Sequence, residues 1–114
     1  YYVLEDVHKL LYQAFYNGRR VGFAFSEIYK GEFKLDKLYI HPDVQRQGVG
    51  GQLIEHVAAR AKKNGYPCLI LAVNKRNEKA IGSYKKYGFV VREAIVDDIG
   101  RGFVMDDFVM EKKL

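Results

Sequence analysis

The sequence predicts an α/β fold with a mixed sheet, and three observations predict it. Aromatic and β-branched stretches separated by turn dipeptides fill residues 12 to 40, as in an antiparallel meander. A glycine-containing stretch, residues 40 to 51, then joins an apolar strand pattern, Leu35 to Ile40, to an apolar helix pattern, Leu53 to Ala61. A continuous apolar run, Tyr66 to Val73, follows that helix, so this strand–helix–strand unit needs a right-handed crossover and a parallel pair.

The elements follow in order. Val3, Leu4, Val7, Leu10 and Leu11 have the i, i+1, i+4, i+7, i+8 spacing of a short amphipathic helix. Tyr12 to Tyr16 reads as a strand. Asn17-Gly18 then marks a type I′ hairpin, whose two central residues need positive φ. Arg19 to Tyr29 is the return strand, Lys30-Gly31 a second turn, and Glu32 to Ile40 a third strand. In the helix after the glycines, Leu53, Ile54, Val57, Ala58 and Ala61 share a face, and Asn64-Gly65 ends it. Asn77 is placed to cap a helix over Glu78 to Tyr87, which Gly88 stops. A strand over Phe89 to Val96, a polar turn over Asp97 to Gly102, a strand over Phe103 to Met110 and a charged tail, Glu111 to Leu114, complete the reading.

Composition narrows the functional classes. A chain of 114 residues, 48% hydrophobic and 29% charged, suits one domain with one modest core. No apolar run approaches the roughly 20 residues of a membrane span, and nothing resembles a signal peptide, so no membrane partner is expected. Cys68 is the lone cysteine, which fits a reducing cytoplasm and a small buried hydrophobe better than a nucleophile. No His, Cys and Asp spacing predicts a metal. The net charge of +5 is polarised: residues 60 to 92 hold nine basic side chains against Glu78, and residues 93 to 108 five acidic ones against Arg101. A basic nucleic-acid binder lacks any reading motif here, and the acidic C-terminal region argues against one, so no nucleic acid is expected.

The stretch at 40 to 51 reads Ile-His-Pro-Asp-Val-Gln-Arg-Gln-Gly-Val-Gly-Gly. Glycines there let successive N–H groups point into one hollow, and a helix start adds free donors and a positive dipole end. The stretch therefore reads as a diphosphate cradle. A P-loop needs a lysine that does not follow. A dinucleotide fingerprint counted from Gly48 puts its third glycine on Leu53.

Gln45-x-x-Gly48-x-Gly50 resembles the acetyl-CoA signature of the GCN5-related N-acetyltransferase (GNAT) superfamily. Asn77-x-x-Ala80-Ile81-x-x-Tyr84-x-x-x-Gly88-Phe89 is similar to its second signature, and the helix and strand between the two motifs also match. The resemblance runs from about Leu4 to the C-terminus. It implies a mostly antiparallel sheet whose central parallel strands splay apart, flanked by helices. The family's first strand and first helix have no counterpart in this reading. Residues 1–114 are therefore expected to be a single, N-terminally incomplete domain, and its open sheet edge an expected place for a homodimer.

The resemblance also implies an acetyl-CoA-dependent N-acetyltransferase of bacterial type, with no metal. Acetyl would pass directly to a primary amine of a small molecule or peptide, polyamines included, in a ternary complex. The pantetheine arm would pair with backbone near Leu38, Tyr39 and Ile40. Gln45, Arg46, Gln47, Gly48, Val49, Gly50 and Gly51 would surround the diphosphate. Asn77 would face the pantetheine end, Lys75, Arg76, Lys79 and Lys86 are all candidates for the 3′-phosphate, and Tyr84 would hydrogen-bond the departing sulfur. The family's usual glutamate base is missing from the strand before the loop. There Asp36, placed by strand alternation on the face of Lys34 and Leu38, is the candidate, with the family's missing first elements, Asp106, Asp107 or bulk water as alternatives. The rival reading is a non-catalytic acyl-CoA-binding or regulatory module of the same fold.

Overall fold

The computed structural model describes residues 2–45, 48–100 and 103–114, with the side chains of residues 97–105 outside the description. Its strands are β1 (Tyr2–Asp6), β2 (Leu11–Tyr16), β3 (Arg19–Tyr29), β4 (Glu32–Ile40), β5 (Cys68–Asn74), β6 (Val90–Gly100) and β7 (Phe103–Lys113). Two helices, α1 (Val49–Lys63) and α2 (Glu78–Lys86), flank β5 in the chain. The strands form one sheet in the order β1-β2-β3-β4-β5-β7-β6. All neighbours are antiparallel except β4 and β5. The mixed sheet expected from sequence is therefore present.

Local chemistry explains the meander. Asn17 and Gly18 have φ of 51° and 77°, as the type I′ hairpin requires, and Lys30 and Gly31 repeat the pattern at 50° and 78°. The helix ends are equally local. Gly65 N–H donates to Lys62 O and Tyr66 N–H to Ala61 O; Gly88 N–H donates to Lys85 O and Phe89 N–H to Tyr84 O. Both are Schellman closures.

Four expectations are corrected. Val3 to Leu11 is not a helix: β1 pairs with β2 from Tyr2↔Phe15 to Asp6↔Leu11. A turn over residues 7–10 joins the two strands, with Leu10 at φ 52°. Ladder bonds to β2 satisfy this backbone, and the apolar spacing is too short to outweigh them. The helix after the glycines begins at Val49 and runs to Lys63. The charged tail continues β7, because Cys68 pairs with Lys113 and Leu69 with Lys112. The expected turn at Asp97 to Gly102 is strand as far as Gly100, and Arg101 and Gly102 lie outside the described residues.

The core lies between the sheet and its helices. Tyr12, Ala24, Phe33 and Leu35 from the meander meet Leu53, Val57 and Ala61 of α1, with Leu69, Leu71 and Met110 beside them. Ala80, Ile81, Tyr84 and Tyr87 bring α2 onto this core. Two features of β4 then set the site. First, Ser26 pairs with Leu35 but Phe25 pairs with Lys37, so Asp36 is an extra residue in a bulge. The bulge lets Phe33 and Leu35 before it, and Leu38 and Ile40 after it, all pack on the core. Lys34 and Leu38 consequently lie on opposite faces, contrary to simple alternation. Second, β4 and β5 pair only at Phe33↔Leu69 and Lys34↔Ile70. Beyond that point the two strands separate.

Candidate active site

The separation of β4 from β5 opens beneath α1 and α2. Leu38 and Ile40 supply one wall of a cleft of about 890 Å³, and Asn77, Ala80, Ser83, Tyr84 and Tyr87 the other. Val44, Gln45, Gly48, Val49 and Gly50 close one end.

That end is built by a chain reversal. After Ile40, the segment Pro42–Val44 makes one 3₁₀ turn, with His41 Nδ1 accepting from Asp43 N–H at 3.1 Å. The bond to Asp43 lets His41 hold the turn in place, and Arg19 Nη2 lies 3.1 Å from Nε2 on the other edge of its ring. Gln45 Nε2 donates back to Ile40 O at 3.4 Å. Gly48 is the N-cap of α1, at φ 83° and without a capping side chain. A glycine suits this position because a Cβ there would be strained. The first intrahelical bond is Gln52 N–H to Gly48 O, at 3.1 Å. The N–H groups of Val49, Gly50 and Gly51 therefore have no intrahelical acceptor and sit at the positive end of a 15-residue helix. That is donor chemistry for an anion.

The opposite wall comes from α2. Asn77 Oδ1 accepts from Ala80 N–H at 3.2 Å, so the residue is the cap expected of it. One helical turn on, Ala80 and Tyr84 face the core. The Tyr84 ring meets Phe89 edge-on, with centroids 5.8 Å apart. Burial raises the Tyr84 phenol above its ordinary pKa, so it stays protonated and able to donate near neutrality. Lys79 and Lys86 line the cleft and add positive charge.

The structure thus gathers Leu38, Ile40, Gln45, Gly48, Val49, Gly50, Asn77, Lys79, Tyr84 and Lys86 around one cleft. The Tyr39 side chain does not line it: it is exposed and packs at a tilt against Phe23 across the strands, with centroids 5.7 Å apart. Gly51 faces a neighbouring hollow on the far side of Tyr87. Arg46 and Gln47 lie outside the described residues. Asp36 is exposed at its bulge and is not among the residues lining the cleft. Asp106 is paired with Lys75. The sequence reading does not single out Ser83 and Tyr87; they are the i+3 and i+7 positions counted from Ala80, but only the end of α2 points Tyr87 at the glycines.

Comparison with known proteins now decides the family. A family profile described as the acetyltransferase (GNAT) family matches residues 1–89. The chain belongs to the GNAT family. Among curated GNAT-type relatives, the peptidyl-lysine N-acetyltransferase YjaB of Salmonella typhimurium is 43% identical over 70 residues, covering 60% of this chain and 45% of the relative. The [ribosomal protein bS18]-alanine N-acetyltransferase of Escherichia coli is 36% identical over 80 residues, covering 70% of this chain and 54% of the relative. The chain therefore spans about half the length of the curated relatives it matches. Among solved structures, the PaiA N-acetyltransferase of Thermoplasma acidophilum in complex with coenzyme A superposes with a TM-score of 0.77 at 28% identity. It covers 92% of this chain and 60% of that one. The mixed sheet with its parted parallel pair is thus a GNAT fold.

Proposed function

We propose that this chain carries an acetyl-CoA site and transfers acetyl directly to a primary amine. One observation carries the reading: a single cleft holds the free N–H groups of α1 at one end and the half-buried Tyr84 phenol on its wall, where β4 and β5 part. A diphosphate at the helix start and a thioester near Tyr84 fit that arrangement. Coenzyme A bound to a family neighbour of known structure supports the choice of cofactor. Acetyl-CoA supplies an activated acyl group; the chain supplies position, hydrogen bonds and exclusion of water.

The roles follow from the geometry. Among the described residues, the β5-facing backbone of β4 beyond Lys34 has no ladder partner, and although Gln45 Nε2 donates to Ile40 O, groups near Leu38 are left for the amides of a pantetheine arm. A β4 N–H there polarises the acyl carbonyl. Tyr84 donates to the departing sulfur: a thiol pKa of about 8.5 against about 10 for a tyrosine makes full proton transfer uphill by roughly 2 kcal/mol. Hydrogen bonding of the thiolate is enough. Holding amine and thioester together supplies much of the remaining acceleration.

The acceptor is an amine of a peptide or small molecule. The names of two curated relatives specify peptidyl lysine and a ribosomal-protein alanine, which supports the peptide class. Baring a lysine-like amine at pH 7 costs ~4–5 kcal/mol, against about 1 kcal/mol for an α-amine. The test is thiol release from acetyl-CoA with peptides bearing a free N-terminus, internal lysine, or neither. Coenzyme A bound by calorimetry but no thiol released with any amine would overturn the transfer reading. Unchanged coenzyme A affinity in Gly48→Glu would overturn the site.

A further inference from the structure

Tyr87 stands between two hollows. It lines the large cleft and also a smaller one of about 320 Å³, shared with Gly51, Ile54, Lys86 and Lys112. Two contacts fix it. Lys112 Nζ, reaching from β7, donates to the Tyr87 carbonyl at the end of α2. The Tyr87 ring lies against Gly51, its Cε1 2.9 Å from the point a Cβ on that glycine would occupy. The hydroxyl consequently sits over the first turn of α1, 3.6 Å from the corresponding point on Gly50. It has no hydrogen-bond partner among the described residues. In that same turn the N–H donors of Val49, Gly50 and Gly51 have no intrahelical acceptor.

We infer that the Tyr87 hydroxyl is an additional donor of the anion cradle, binding the diphosphate of the cofactor together with the start of α1. The inference rests on the reading of the cleft as an acetyl-CoA site and adds to it a positioning residue that tells a thioester carrying a diphosphate from one without. An O–H donor aimed at a charged phosphate oxygen outweighs a neutral hydrogen bond. The phenol is held by its packing, so little ordering is left to the moment of binding. The ring also shields the Gly51 side of the cradle from water.

The test is Tyr87→Phe, which keeps the ring on Gly51 and removes only the hydroxyl. Calorimetry would measure binding of coenzyme A, pantetheine and inorganic pyrophosphate to the 114-residue chain and its variant. Affinity for coenzyme A and pyrophosphate is expected to fall about tenfold, the size of one charge-assisted bond, with pantetheine unchanged. In turnover, KM for acetyl-CoA rises and kcat holds. Equal affinities in the two proteins would overturn the inference alone, as would an equal loss for pantetheine, which would mark a packing effect. A wild-type chain that binds neither coenzyme A nor pyrophosphate would overturn the cofactor reading and this inference together.

Discussion

Tyr87 Cε1 lies 2.9 Å from the position a Cβ on Gly51 would take, whereas a Cβ on Gly82 would meet nothing within 4 Å. Both glycines are helical, so replacement by alanine brings up to about 0.5–1 kcal/mol of backbone stabilisation. At Gly82 nothing opposes that gain. At Gly51 the tyrosine ring must move, and overpacking costs about 1–3 kcal/mol. Gly82→Ala should therefore raise the urea midpoint and Gly51→Ala should lower it or leave it level. A rise of equal size in both would show that Tyr87 is not seated as described. Gly51→Ala should also weaken coenzyme A binding, because the displaced ring no longer covers the cradle.

Asn77 separates two roles in one residue. Its Oδ1 accepts from Ala80 N–H, and its side chain also lines the cleft. Loss of an N-cap costs about 1 kcal/mol, which Asn77→Asp should largely recover and Asn77→Ala should not. If the side chain also meets the cofactor, Asn77→Asp will restore stability but not coenzyme A affinity, since a carboxylate faces an anionic ligand. Denaturation and calorimetry on the same two variants give the answer.

These two sites show what the sequence alone made legible. Asn77 and the Asn17-Gly18 hairpin are decided by neighbours within four residues, and both were correctly read. Asp36 was placed on the wrong footing because its bulge depends on how β3 pairs with β4, information held by Phe25 and Ser26. Val3 to Leu11 was read as a helix from apolar spacing, yet Leu4 and Val7 are 53% and 43% exposed in a strand and a turn. What decides that segment is its register against β2. Tyr87 escaped notice because its position is set by Lys112, 25 residues further on. Local chemistry thus gave the motifs, and long-range pairing gave the faces they present.

Tyr84 predicts a kinetic split. Tyr84→Phe keeps the edge contact with Phe89 and removes the donor. Coenzyme A affinity should change little while kcat falls about a hundredfold, the lower end for losing one transition-state donor. The same phenol shapes alkaline stability. Burial raises Tyr84 and Tyr12 above the ordinary tyrosine value, so above pH ~10 the folded chain holds more protons than the unfolded one. Stability is then full below that pH and is lost as pH rises through the folded values. Tyr84→Phe should flatten that alkaline decline. An unchanged slope would mean that the phenol is not buried.

The last prediction concerns what holds β4 against β5 where they still pair. Arg92 on β6 reaches across the sheet, with Nη2 2.7 Å from Glu111 on β7 and Nη1 2.8 Å from Glu32 at the start of β4. Glu32 lies one residue before Phe33, the first residue paired with β5. The guanidinium therefore ties the two outer strands to β4 at the closed end of the gap, and it lowers the Glu111 carboxyl below the ordinary carboxylate range, chiefly through its hydrogen bond. A depressed folded pKa gives stability that is present above the unfolded value and lost as pH falls through the folded one. Arg92→Met should flatten the acid limb of the stability curve between those two values. Because the groups are partly exposed, its effect should shrink in 1 M salt. If the arginine also sets where β4 and β5 part, the variant will bind coenzyme A more weakly at neutral pH and low salt, though it touches no residue of the cleft. Unchanged affinity would confine Arg92 to stability and leave the opening to the Asp36 bulge alone.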